Sequence, residues 1–150
     1  MAHVIPISFR GSLFSAHHDF ASGGNTFKLA LYTAGSGAPY STASTVYTSG
    51  TANQVGTSGT GYSTGGNTLT SQAVASSTAV ASVDFADTEW TSATFTAAYG
   101  VIYNSSTVDS TADRLVVVLD FGGNKTCTNG TFKITFPDPS TPGDAILSMA

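Results

Sequence analysis

The chain is short of several things, and each shortage closes off a class of protein. Of its 150 residues one is cysteine, Cys127, so an intramolecular disulfide framework and a cysteine-cluster zinc site are both excluded. Charged residues make up only 9% of the chain, against the usual quarter. The five basic ones (Arg10, Lys28, Arg114, Lys125, Lys133) are scattered through a sequence of net charge −4. No basic patch stands ready to neutralise phosphates, so neither nucleic acid nor an anionic membrane surface is an expected partner. No apolar run approaches the 18 or so residues that a membrane-spanning helix needs. The opening, MAHVIPISFRGSLFSAHHDF, lacks a charged region followed by an apolar one and is not expected to act as a signal peptide.

Small polar residues fill the gap. There are 20 Ser, 23 Thr and 16 Gly, the composition of short strands joined by uncharged loops. A length of 150 residues suits one domain, spanning 1–150, that buries a core without staples. Few charges also mean weak repulsion between copies, which tolerates dense packing of many molecules.

Strand signals dominate. Leu115-Val116-Val117-Val118-Leu119 has no polar alternate and reads as a strand covered on both faces. Before it, Ala93–Asn104 is one long extended run with a bend or bulge at Gly100, and the polar turn 104–113 joins the two into a central hairpin. Gly122-Gly123-Asn124 is expected to end the second strand. Trp90, Tyr99, Ile102 and Leu115–Leu119 are expected inside. Phe27, Leu29 and Leu31 alternate with more polar neighbours, as do Phe132, Ile134 and Phe136. Further strands are expected over Asn67–Val74, over Ala79–Phe85 and, after an irregular loop at Pro137, Pro139 and Pro142, over Ala145–Met149. The whole is an all-β chain, an antiparallel β-sandwich of jelly-roll or immunoglobulin-like type.

Two segments depart from this pattern. In residues 1–24, Pro6 holds Ile5 extended. Ser8 then caps a helix of about three turns, with Phe9, Leu13, Phe14, Ala16, His17 and Phe20 as one apolar stripe. The run ASGG at 21–24 is expected to stop it, and the stripe either covers the sandwich or meets a partner. Residues 34–66 hold almost no aliphatics besides Val46 and Val55, but tyrosines recur at Tyr40, Tyr47 and Tyr62. This is either a flexible Gly/Ser/Thr linker or an ordered surface arm with tyrosine anchors. The tyrosines favour the arm, since a linker needs none.

Chemistry-bearing patterns are sparse. His17-His18-Asp19 lacks an HxxxH spacing and reads as structural or surface histidines. Asp84, Asp87 and Glu89 lack the glycine and glutamate of a calcium loop and read as a solvated turn. The glycines at 59–66 are turn glycines without the Gly-Lys-[Ser/Thr] of a phosphate loop. Sequons at Asn104, Asn124 and Asn129 carry little weight without a secretory route. No nucleophile elbow or other catalytic constellation is visible, so no enzyme activity, metal or cofactor is expected.

Several blocks in order carry a resemblance: NTFKLALY at 25–32, GTGYSTGGNTL at 59–69, WTSATFTA at 90–97, GVIYNS at 100–105 and ADRLVVVLDFGG at 112–123, continuing into 130–137. This order, from about residue 9 onward, resembles a family of small virion proteins of tailed bacteriophages. Its motifs are structural, and no functional residue carries over. The resemblance implies a particle component: a decoration (cement) protein that binds the outside of the head and bridges major capsid subunits, as a homotrimer by analogy. A second implied role is a tail- or head-surface adhesion module for a host receptor or glycan. The expected contact residues are Val4, Ile5, Phe9, Leu13 and Phe14, then Tyr40, Tyr47 and Tyr62.

Overall fold

A computed structural model describes residues 3–35, 37–76, 79–137 and 145–149. It is an all-β, sandwich-like fold of two antiparallel sheets and one short helix. The elements run α1 (Ile7–Phe14), β1 (Phe27–Tyr32), β2 (Asn67–Thr68), β3 (Ala73–Ser76), β4 (Ala81–Asp84), β5 (Thr88–Asn104), β6 (Arg114–Ile134) and β7 (Leu147–Met149). The larger sheet has the order β2-β1-β5-β6, and the smaller one β3-β4-β7.

The central hairpin is β5–β6. Its upper half pairs Gly100 with Leu119 and Ile102 with Val117, and β1 adds along the other edge of β5, with Leu29 opposite Ile102. Its lower half, from Thr88 to Ala97 against Lys125 to Ile134, continues as a ribbon. The pairing is irregular at several steps, the largest between Ala97–Lys125 and Tyr99–Asp120, where the extra residues lie on β6; Gly100 itself is in regular register with Leu119. Gly122 and Gly123 do not end the strand. They take positive φ of 75° and 117° in an excursion that lets β6 resume pairing at Lys125.

Alternation along β1 sends side chains into two cores. Phe27, Leu29 and Leu31 join Ile102, Val117, Trp90 and Phe85 in the main core. Ala30 and Tyr32 join Val101, Tyr103, Leu115 and Val118 on the opposite face. That second core explains the uninterrupted apolar run of β6, whose Leu115–Val118 are all buried; Tyr99 and Leu119 are half-buried at its margin.

The expected strand Asn67–Val74 is two strands in different sheets. Leu69 plunges into the main core and its N–H donates to the Phe27 carbonyl at 2.8 Å. Ser71 then takes φ of 53°, and Gln72 Nε2 donates to the Ala21 and Asn25 carbonyls, so the chain crosses to the smaller sheet. Pro137 follows β6, while Pro139 and Pro142 lie outside the described residues.

The helix is shorter than its sequence stripe. Pro6 stands at its N-cap, and Ser8 Oγ donates to the Ser44 carbonyl instead of capping. It ends at Phe14 in a Schellman closure: His17 N–H donates to the Ser12 carbonyl at 2.9 Å and Ala16 N–H to the Leu13 carbonyl at 3.1 Å. Ala16 holds the left-handed position at φ 54°, ahead of the ASGG run expected to stop the helix.

Candidate docking face

The tyrosine arm is ordered, and its anchors point inward. Tyr47 N–H donates to the Asp113 carbonyl, Leu115 N–H to Thr45, Val55 N–H to Leu31 and Thr94 N–H to Thr60. The backbone from Thr45 to Thr60 is thereby stitched onto β1, β5 and β6. Tyr47 is 6% exposed and stacks on Tyr103, with ring centroids 4.0 Å apart and planes 8° off parallel. Tyr62 is buried against Trp90 and Phe95, and its hydroxyl accepts from Leu31 N–H at 3.1 Å and Gln54 Nε2 at 3.1 Å. Tyr40 is half-buried, edge-on to Tyr32, with its hydroxyl accepting from Thr48 N–H at 2.9 Å. Burial pushes the Tyr47 and Tyr62 phenols up from their ordinary pKa. Each hydroxyl has a partner, and the rings divide between the cores: Tyr62 joins the main one, and Tyr47, with Tyr40 against it, builds the second. As contact residues for a partner, Tyr47 and Tyr62 are corrected: no ring face is left to offer.

The N-terminal candidates separate by position. Val4 pairs antiparallel with Val118, its N–H donating at 3.0 Å and its carbonyl accepting at 2.8 Å, which closes the outer edge of β6 there. Phe9 is likewise corrected to a core residue, 5% exposed and packed on His18 and Phe20. Ile5 and Leu13 are half-buried. Phe14 stands 95% exposed. It cannot share the Phe9–Leu13 side, since adjacent helical residues point about 100° apart.

The helix is therefore apolar on two sides. Phe9 and Leu13, four apart, face the core; Ile7 and Phe14, seven apart, share the outer side, and Ile7 is 64% exposed. Beside the helix lies the small sheet. Its pairing puts Val74, Val83 and Leu147 in one cross-strand row and Ser76, Ala81 and Met149 in the next. These rows and α1 wall a groove of about 420 Å³, lined by Phe9, Leu13, Val74, Val83 and Met149, with Arg10 as its one charged residue among the described residues. Val74 and Met149 are 58% and 64% exposed. Sequence reasoning missed Ile7, Val74 and Met149. The seven-residue spacing of Ile7 and Phe14 was the available signal, hidden by the overlapping stripe.

A larger cavity of about 820 Å³ adjoins the groove across Ile5 and Leu147, between β6 and the chain around Phe136 and Ile146. It borders Pro137 and Ala145, which flank residues outside the described set.

The remaining sequence candidates are structural. His18 lies among Phe9, Phe20 and Phe27, and its Nδ1 is 3.3 Å from Asn104 Nδ2. Desolvation first, then Arg114 and His17, push its pKa down to about 4. Asn104 is fully buried, bonding Asn25 Oδ1 at 2.8 Å and the His17 carbonyl at 3.1 Å, so its sequon is closed to modification. Asp87 pairs with Lys133 at 2.9 Å and accepts from Phe136 N–H, and the Lys133 bond holds its carboxyl below the usual range. Among the described residues no group of three or more His, Cys, Asp or Glu is placed to hold a metal ion. No described helix is long and apolar enough to cross a membrane.

Fold and face together define an all-β, sandwich-like protein with an apolar face turned to solvent. No family model, curated protein or solved structure matches the chain.

Proposed function

We propose that this chain is a structural protein of a tailed-phage particle: a cement protein that docks on the outside of the head and bridges neighbouring major capsid subunits. The observation that carries the docking is the outer side of α1, where Phe14 and Ile7 stand exposed and belong to neither core. An apolar face of this kind is the usual mark of a protein contact. The block-by-block sequence resemblance supports the particle as the setting. Scarce charge supports dense packing of copies on a shell.

The arm's burial reshapes the mechanism. With 45–60 sewn to its own sheet, bridging falls to the α1 face. Each copy contributes a modest contact made only in the assembled shell, and linkage stabilises that assembly by the sum over many sites. The test is a particle lacking the protein. It assembles and releases its DNA at a lower temperature than the complete particle; equal heat stability contradicts the proposal. Copy number distinguishes the tail or adhesion role: hundreds of copies per particle fit cement, a dozen or fewer fit a tail part.

A further inference from the structure

The edges of the two sheets are treated differently. In the larger sheet, β2 is only two residues long, and the outer edge of β6 is met by Val4 at Val118 and Val46 at Arg114. Below that, β6 carries the Gly122-Gly123 excursion and then Lys125 and Lys133. Short strands, bulges and lysines are the standard guards against edge-to-edge pairing. The β3 edge, four residues long, has neither bulge nor lysine. Ala73-Val74-Ala75-Ser76 is uncharged, free of proline and glycine, in unbroken register with β4, and exposed at all four residues. Among the described residues nothing pairs with its outer side.

We infer that β3 is a pairing edge for a second copy of this chain, joining two small sheets into one antiparallel six-stranded sheet across a twofold axis. Charge selects the occupant. A foreign strand bearing charged side chains finds no counter-charge on Ala73–Ser76, whereas a second copy presents an edge as neutral as itself. Copies of net charge −4 meet where neither carries charge. An antiparallel edge is self-complementary about a twofold, as an isologous contact requires. A twofold centred on Val74 would set two Val74 side chains together and extend the apolar row that runs through Val83 to Leu147. This inference stands apart from the capsid reading, because it concerns the isolated protein.

Sedimentation equilibrium on the purified chain tests it, with Val74→Lys and Ala75→Lys as variants. The wild type is expected to be a dimer, and each lysine to weaken it at least about tenfold; at concentrations below the dimer range the thermal midpoints of variant and wild type agree, since both residues are exposed. Amide exchange on the wild type gives a measurement without variants: 73–76 gain protection as concentration rises through the dimer range. A monomer at all concentrations, a trimer, a dimer indifferent to both lysines, or exchange at 73–76 independent of concentration overturns the inference.

Discussion

Tyr47 lies flat on Tyr103, ring centroids 4.0 Å apart, and this stack pins the arm to the turn end of the central hairpin. It turns a serine- and glycine-rich stretch into the cover of a second core. Tyr47→Ala is expected to cost about 3–4 kcal/mol in denaturant unfolding, the range for large buried aromatics. Tyr47→Phe removes only the 2.9 Å bond from Gln54 Nε2 and is expected to cost about 1 kcal/mol. Equal, negligible effects of both would show the arm to be loosely held.

Gly66 sets the entry to β2. Its φ is 74°, and a Cβ there would collide with the Leu29 carbonyl of β1. Gly66→Ala is expected to lose roughly 2–4 kcal/mol, combining left-handed strain with displacement of a central strand. Gly59→Ala is the control: its φ is similar at 68°, but the space around it is open. It should lose only the strain, roughly 1 kcal/mol.

Ala16 closes α1 in the left-handed region at φ 54°. Glycine adopts that conformation without the Cβ penalty, so Ala16→Gly is expected to raise stability by about 0.5–1 kcal/mol despite adding a flexible residue. A lower thermal midpoint for this variant would contradict the Schellman closure.

His18 makes stability depend on pH. Its folded pKa of about 4 lies below the unfolded value of 6.5, so between these limits the unfolded chain binds the extra proton. The contribution is complete above pH 6.5, falls with pH through the window and is gone below about 4. The loss is on the order of 2 kcal/mol, and His18→Gln should flatten that part of the curve. The neighbours Arg114 and His17 act in the same direction, both disfavouring a cation. Parallel pH profiles for wild type and variant would contradict this.

How much was legible beforehand follows from which forces were local. The alternations of Phe27–Leu31 and the run Leu115–Val118 announce strands because period and burial sit in the residues themselves. Burial of the run on both faces was legible as well; what covers its second face was not, because tyrosines separated by serines and glycines look the same on a surface as in a core. Only partners distant in sequence, such as Leu31 N–H for Tyr62 and Tyr103 for Tyr47, decide between them. The end of α1 was hidden for a related reason: alanine in a glycine position gives no signal. Among the exposed apolar residues, Phe14 was named from sequence, but Val74 and Met149 are brought to neighbouring rows only by strand pairing across the small sheet.

The most direct measurement is the binding of purified chain to heads stripped of it, comparing wild type with Phe14→Asp. Because Phe14 is 95% exposed, the variant should keep the wild-type thermal midpoint. Wild type is expected to saturate the heads at hundreds of copies and restore their heat stability, and Phe14→Asp to bind at least tenfold more weakly, about 1.4 kcal/mol or more. Binding of the variant equal to that of wild type would contradict docking through the outer side of α1, and saturation at a dozen copies or fewer would contradict the cement role.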